Sequence, residues 1–218
     1  MFIRLNLALC LCLLALPVWA KPNTTTSAKC GSLQESESEP CVFTLKGKSF
    51  RIQTNGKGVR SDGQTTRFSL NVPGRDVISV LYYGSYGDDI ILVYETEDGE
   101  SSASYVVRLD GQSLSPKWET HLEGFNTASG LIDAGFLYQT AIGLVAKLDL
   151  ETGSFVWIHK NLYDRAYFSF NSFETPEKNG GKIVFREVLQ TGVAYDEPRS
   201  VVVSDAEGVI RVEKPVFK

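Results

Sequence analysis

The sequence contains few residues whose type and spacing could carry out chemistry. Its two histidines, His121 and His159, follow Trp118 and Trp157 and have no dense group of carboxylates or cysteines near them in sequence. A metal site needs several such ligands together, so we interpret both histidines as partly exposed strand residues. The sequence also has no Gly-x-Ser-x-Gly elbow and no glycine-rich loop leading from a strand into a helix. It therefore predicts no catalytic residue, no metal, no cofactor and no enzymatic activity.

Two of the four cysteines lie in a candidate signal peptide, and the other two follow it. Cys10 and Cys12 lie in the first twenty residues, where one basic residue precedes an apolar run that ends in Pro-Val-Trp-Ala. That pattern is typical of a secretory signal peptide spanning residues 1–20, and it predicts a periplasmic or secreted protein. In such a compartment the remaining pair, Cys30 and Cys41, is expected to form a disulfide, since its spacing is not that of a Cys-x-x-Cys redox pair.

Composition and charge indicate how the rest of the chain is organised and which ligands are disfavoured. Residues 21–40 are polar and poor in apolar side chains, which predicts a flexible leader, and residues 41–218 have the composition of one folded domain. The formal net charge is −4, and lysine and arginine form no cluster in the sequence, which disfavours binding to nucleic acid or anionic lipid. No later apolar run is long enough to cross a bilayer, so we expect no membrane insertion after signal cleavage.

Short runs of β-branched and aromatic residues from Cys41 onward predict β-strands. They are separated by turns rich in Gly, Asp and Asn, and no stretch of ten or more residues has helical periodicity. The clearest runs are 77–83, 89–94, 105–109, 144–148, 182–189 and 200–204. The fold class that follows is all-β.

Two stretches of the chain repeat one pattern. Asp110 and Trp118 in the first stretch each lie 39 residues before their counterparts in the second, Asp149 and Trp157. A period of this length is typical of solenoids and propellers. The aspartate can close a turn by accepting backbone hydrogen bonds, and the tryptophan on the returning strand can cover a neighbouring sheet.

Weaker copies of the pattern near Asp62 and Asp205 extend the repeat, and each interval has room for four strands. We therefore predict a small or incomplete β-propeller of about four four-stranded blades, with a two-sheet β-sandwich as the alternative. So few blades must either curl tightly or leave sheet edges open, and open edges would permit self-association or pairing with a partner.

The second stretch resembles a known family. Residues 146–157, Ala-Lys-Leu-Asp-Leu-Glu-Thr-Gly-Ser-Phe-Val-Trp, are similar to the repeat of quinoprotein-type (PQQ-like) β-propellers, and residues 107–118 are similar with Ser-Leu in place of Thr-Gly. The resemblance covers about half of the chain after the signal. It implies that Asp149, Thr152 and Gly153 join the two outer strands of a blade and that Trp157 packs between blades. It implies the fold and not alcohol oxidation, because no residues match the family's quinone cofactor and metal sites.

A segment rich in tyrosine and aspartate is the candidate for binding a partner. The residues are Tyr82, Tyr83, Tyr86, Asp88 and Asp89. Exposed tyrosines offer a large contact area and carboxylates select a basic surface, so the expected partner is another protein with basic character. The alternative is an ordinary hairpin with solvated charges.

Together these features predict an exported, non-catalytic protein-binding module of the bacterial cell envelope. It would act as an assembly scaffold or as an antagonist, such as an immunity protein, of a secreted toxin or hydrolase. Two alternatives stay open. One is a protein that binds carbohydrate or another small ligand through aromatic residues, and the other is a hydrolase with a carboxylate pair that the sequence does not reveal.

Overall fold

The computed structural model describes residues 28–29, 40–61, 65–125, 127, 130–162, 173–188 and 200–213. These residues form seventeen β-strands in four antiparallel sheets and no helix. In every sheet, strands that follow each other in sequence are hydrogen-bonded neighbours. The prediction of an all-β fold with the architecture of a small propeller is confirmed. Among the same residues, no helix is long and apolar enough to cross a membrane.

The first two sheets contain nine strands. The first sheet consists of β1 (Ala28–Lys29), β2 (Cys41–Leu45), β3 (Lys48–Ile52), β4 (Lys57–Ser61) and β5 (Thr65–Ser69). The second consists of β6 (Asp76–Tyr86), β7 (Asp89–Glu97), β8 (Ser102–Leu109) and β9 (Pro116–Leu122). The first sheet has five strands instead of the expected four, because two residues of the predicted leader, Ala28 and Lys29, pair with Phe43 and Val42 of β2.

The last two sheets contain four strands each. The third consists of β10 (Leu131–Asp133), β11 (Phe136–Ala141), β12 (Leu144–Asp149) and β13 (Phe155–His159). The fourth consists of β14 (Glu177–Asn179), β15 (Lys182–Arg186), β16 (Ser200–Ser204) and β17 (Ile210–Glu213).

Three hydrophobic clusters join consecutive sheets. One lies between the first and second sheets, one between the second and third, and one between the third and fourth. The described residues form no such cluster between the first and fourth sheets. These two terminal sheets therefore each keep one face that no other described sheet covers, whereas the two interior sheets are packed on both faces.

Burial along the strands of the first three sheets follows this arrangement, whereas β16 of the fourth sheet is buried at Val201, Val202 and Val203. In the interior sheets, β7 is buried from Asp89 to Thr96 and β12 from Leu144 to Leu148, because apolar side chains point to both faces. In the first sheet, β2 and β3 alternate between buried and exposed residues, as a strand with one solvated face does. The stacked rings of Phe43 and Phe50, 4.8 Å apart, mark the buried face.

The turn near Asp205 differs by one residue from the predicted repeat. The carbonyl oxygen of Asp149 accepts the backbone N–H of Gly153 at 2.8 Å, and the carbonyl oxygen of Ser204 accepts that of Gly208 at 2.8 Å. Ser204, and not Asp205, therefore occupies the place of Asp149. The sequence pattern was misleading because Asp205 is the nearest aspartate to this turn.

The predicted leader lies largely outside the described residues. Cys41 opens β2 and is buried in the first hydrophobic cluster. The signal peptide over 1–20 and Cys30, the expected disulfide partner of Cys41, fall outside the part that the structure describes, so both stay predictions.

Candidate functional site

The repeated turns are built as the sequence indicates. The Oδ1 atom of Asp110 accepts the backbone N–H groups of Gln112 at 2.9 Å and Ser113 at 2.8 Å. Asp149 accepts the corresponding groups of Glu151 at 2.8 Å and Thr152 at 2.9 Å. The backbone hydrogen bonds from Ser113 and Gln112, and then the bond from the Lys117 side chain, hold the pKa of Asp110 well below its ordinary value.

The two repeat tryptophans have equivalent surroundings. The indole Nε1 of Trp118 donates to the carbonyl oxygen of Leu150 at 3.1 Å, and that of Trp157 donates to the carbonyl oxygen of Asp205 at 3.3 Å. Each acceptor lies in the repeat turn of the next sheet. Gly153 has a φ of 72°, and a Cβ added to it would lie 2.6 Å from the Trp118 ring, so the turn requires glycine for both reasons.

Three cations also bridge consecutive sheets, and sequence reasoning missed them. Arg60 donates to the carbonyl oxygen of Gly111 at 3.3 Å, Arg108 to that of Leu150 at 2.8 Å, and Lys147 to that of Asp205 at 3.0 Å. We call these three residues the junction cations, because each reaches from its own sheet into the turn of the next. A signal for them existed, since each stands two residues before an aspartate of the repeat pattern, Asp62, Asp110 or Asp149.

The predicted partner-binding residues separate into two groups. Tyr82 and Tyr83 belong to β6, and their side chains lie outside the described part of the structure. Asp88 is exposed and forms an ion pair with Lys46. Tyr86 is half-buried, with the Arg108 guanidinium 4.7 Å above its ring.

Asp89 belongs to the junction between the second and third sheets. It is 4% exposed, and its carboxylate accepts hydrogen bonds from Arg108 at 2.6 Å and Lys117 at 2.8 Å. Burial opposes ionisation, but the bonds from Lys117 and Arg108 prevail and lower the pKa of Asp89. A carboxylate engaged in this way positions Arg108, and at this exposure it offers little surface to a partner.

Asp205 plays a corresponding role between the third and fourth sheets. It accepts hydrogen bonds from Lys147 at 2.6 Å and from the hydroxyl of Tyr138 at 2.6 Å, and its other oxygen lies 2.9 Å from the Lys178 ammonium. Burial opposes ionisation here too, but the bonds from Lys147, Tyr138 and Lys178 lower the pKa of Asp205 to about 2.

The described residues contain no group of three or more His, Cys, Asp or Glu side chains that could hold a metal ion. His121 is exposed on β9, with its ring 5.0 Å from that of Tyr105. The Nε2 atom of His159 on β13 lies 2.7 Å from the carbonyl oxygen of Gly208, and the centres of the His159 and Trp157 rings are 5.7 Å apart. Both histidines thus contact the framework of the sheets.

A cleft on the uncovered face of the first sheet is the candidate site for a ligand. The strand register places Val42, Arg51, Val59 and Arg67 side by side across β2, β3, β4 and β5. Lys57 lies two residues before Val59 on the same face. Arg51, Lys57, Val59 and Arg67 line a cleft of about 600 Å³ together with Gln53, Gly58, Phe68 and Ser69, and Val42 lies beside it in the register. We call this feature the basic cleft.

The turn between β3 and β4 positions Lys57 at one end of the basic cleft. Gly56, with a φ of 75°, donates its N–H to the carbonyl oxygen of Gln53 at 2.9 Å, and Asn55 accepts the N–H of Lys57 at 3.2 Å. Gly56 supplies the positive φ that the turn requires, and the side-chain oxygen of Asn55 closes it with a hydrogen bond from a backbone N–H two residues on. The turn returns the chain as β4, which brings Lys57 and Val59 next to Arg51.

The three cations of the basic cleft differ from most other cations that the structure describes. Among the described residues, no hydrogen bond or ion pair engages the side chain of Arg51, Lys57 or Arg67, and all three are exposed. Cations elsewhere form ion pairs: Lys46, Arg75, Arg108, Lys117, Lys147, Lys160, Lys178 and Arg186. Sequence reasoning did not find the basic cleft, because its cations are dispersed over three strands and meet only through the register.

No protein-family model matches the chain, and no curated protein matches it. The chain does match solved structures. The quinohemoprotein alcohol dehydrogenase ADHIIG from Pseudomonas putida HK5 has a TM-score of 0.53 and 12% identity over 83% of this chain and 35% of that chain. BamB from Moraxella catarrhalis has a TM-score of 0.48 and 13% identity over 88% of this chain and 67% of that chain. The WD40 domain of SCAP from fission yeast has a TM-score of 0.45 and 12% identity over 87% of this chain and 52% of that chain.

The similarity to the dehydrogenase agrees with the propeller-like fold and concerns the fold alone. It does not assign the chain to the PQQ-like repeat family that residues 146–157 resemble. The chain spans about a third of the length of that dehydrogenase.

Proposed function

We propose that the chain is a non-catalytic protein-binding module that acts in the bacterial cell envelope, as an assembly scaffold or as an antagonist of a secreted toxin or hydrolase. The observation that carries the proposal is the uncovered face of the first sheet, where the basic cleft offers three exposed cations without partners among the described residues. A propeller's sheets serve such a role because they present a surface on a rigid framework.

The interior of the molecule supports a framework role. Arg108 binds Asp89, Lys147 binds Asp205, and all three junction cations bind backbone carbonyl groups between the sheets. Groups tied up in this way stabilise the stacking of the sheets and are not available to a substrate. The polar groups that stay accessible lie on surfaces, which favours recognition over catalysis.

Binding is tested with the purified full chain immobilised on a matrix and exposed to envelope extract. We expect one protein to be retained in nearly equimolar amount, and none on a matrix that carries an unrelated acidic protein of similar size. Retention of no protein would overturn the proposal. Hydrolysis of a peptide or glycoside substrate by the chain would also overturn it, if replacing an aspartate of the chain with asparagine abolished that hydrolysis.

Location in the envelope is tested by fractionation of cells that produce the full chain. We expect the protein in the periplasmic or secreted fraction, with residues 1–20 absent from its mass and Cys30 linked to Cys41. A cytoplasmic protein that retains residues 1–20 would contradict this part of the proposal.

A further inference from the structure

We infer that the basic cleft is the docking site for an acidic, extended segment of the partner protein. The inference rests on the proposed function and adds the chemistry of the partner and the place where it binds. It is drawn from the charge, spacing and exposure of the residues that line the cleft.

The charge of the cleft calls for an anionic occupant. The register of β2, β3, β4 and β5 places ten residues together on this face: Val42, Thr44, Ser49, Arg51, Lys57, Val59, Ser61, Thr65, Arg67 and Ser69. These ten residues include three cations and no carboxylate, in a chain whose formal net charge is −4. Three like charges on one face repel each other unless an anion lies between them.

The spacing of the cations fits an extended peptide. Arg51 and Arg67 lie two strands apart with Val59 between them, which separates their Cα atoms by about 10 Å. Lys57 lies about 7 Å from Val59 along β4. Carboxylates on alternate residues of an extended chain repeat at about 7 Å and can therefore meet more than one of these cations. Each arginine can bind a carboxylate through two parallel hydrogen bonds.

Apolar surface in the cleft, at Val59, and beside it, at Val42, favours a peptide over an inorganic anion. Val42 is 39% exposed and Val59 is partly exposed, and both lie next to Arg51 in the register. An extended segment in which acidic and apolar residues alternate could cover these valines while its carboxylates meet the arginines. A long polyanion fits less well, since only three cations would hold it against the negative charge of the whole chain.

The probe for this site is a fluorescein-labelled decapeptide of alternating glutamate and valine, and its anisotropy is measured on titration with the full chain. We expect it to bind about tenfold or more tightly than the same peptide with glutamine in place of glutamate. The double variant Arg51→Glu and Arg67→Glu is expected to weaken binding at least about tenfold, and 500 mM salt should do the same to the wild type.

The matched control is the double variant Lys182→Glu and Arg211→Glu. Both residues are exposed on the fourth sheet, where the described residues provide no partner for their charged groups, and the change in net charge is the same. We expect this control to bind the glutamate peptide within about twofold of the wild type. Equal weakening by both double variants would overturn the inference, because it would show a general effect of charge.

Three further results would overturn the inference. The first is equal binding of the glutamate and glutamine peptides, and the second is tighter binding of a heparin fragment or single-stranded oligonucleotide of matched charge. The third is a wild-type dimer that the Arg51→Glu and Arg67→Glu variant abolishes.

The protein retained from envelope extract separates this inference from the proposed function. If the Arg51→Glu and Arg67→Glu variant still retains it, the basic cleft is not the docking site, while the protein-binding function stands. If the wild type retains nothing, the proposed function itself fails.

Discussion

The third sheet and the first sheet contain similar strands but differ in the contacts that they make with neighbouring sheets. The third receives Arg108 and Trp118 from the second sheet in its turn at Leu150, and it extends Lys147 and Trp157 to the fourth. The first sheet extends Arg60 to the second but, among the described residues, receives no such contact on its other face. The contrast indicates that the junction cations lie on the faces that hold the molecule together, whereas the cleft cations of the first sheet lie on a face that no junction of the described residues covers.

The fourth sheet shows how the series of junctions ends. In the register of the third sheet, Lys147 pairs with Trp157, whereas the equivalent pair in the fourth sheet is Val202 and Arg211. A sheet that lacks both the cation and the tryptophan at these positions cannot form the same contacts with a following sheet. Terminal units of repeat proteins differ from interior ones for the same reason.

The largest expected effect comes from a junction cation. The substitution Arg108→Met keeps an unbranched apolar stem but leaves the buried Asp89 carboxylate with Lys117 and the backbone N–H of Gly111. We expect it to lower the free energy of unfolding by about 3 kcal/mol, because a buried ion pair is broken from one side. Urea unfolding followed by circular dichroism measures the loss. The control is Arg51→Met on the first sheet, and an equal loss in both variants would contradict the division into junction and binding faces.

The next largest effect on stability compares a turn glycine that lies against a tryptophan with a turn glycine that does not. Gly153→Ala brings a Cβ to 2.6 Å from the Trp118 ring at a φ of 72°, and Gly74→Ala introduces a Cβ with nothing within 4 Å at a φ of 76°. We expect a loss of about 2 kcal/mol for Gly153→Ala and about 1 kcal/mol for Gly74→Ala. Thermal and urea unfolding of the two variants give the comparison. If the losses are equal, Trp118 does not restrain the turn.

A smaller effect follows from the pKa of Asp205. That pKa is lowered from 3.8 to about 2 in the folded chain, so the stability it contributes is complete above pH 4 and is lost as the pH falls toward 2. We expect a loss of about 1 kcal/mol from this group between pH 6 and pH 3. The variant Asp205→Asn should lack this part of the pH dependence, although it is less stable at neutral pH. The measurement is urea unfolding of both proteins from pH 3 to pH 6. If the free energy of unfolding changes with pH equally in wild type and variant, Asp205 is not paired as described.

Local interactions were predictable from the sequence, and interactions between sheets were not. The turns at Asp110 and Asp149 close within four residues, so residue type and spacing sufficed to predict them. Asp89 was expected on the surface, but it is buried because Arg108 and Lys117 reach it from other strands. The basic cleft depends on the register of β3, β4 and β5, which the types of Arg51, Lys57 and Arg67 do not reveal.

The smallest expected effect on stability is at the basic cleft. The double variant Arg51→Ala and Arg67→Ala should change the free energy of unfolding by about 0.5 kcal/mol or less, because both side chains are exposed and have no partner among the described residues. The same variant should lose the glutamate peptide, so stability and binding separate at this face, whereas at Arg108 stability is what changes. Urea unfolding and peptide anisotropy on one preparation measure both quantities. A loss of 2 kcal/mol or more in the double variant would mean that this face is packed like the interior ones, and the contrast between the first and third sheets would not hold.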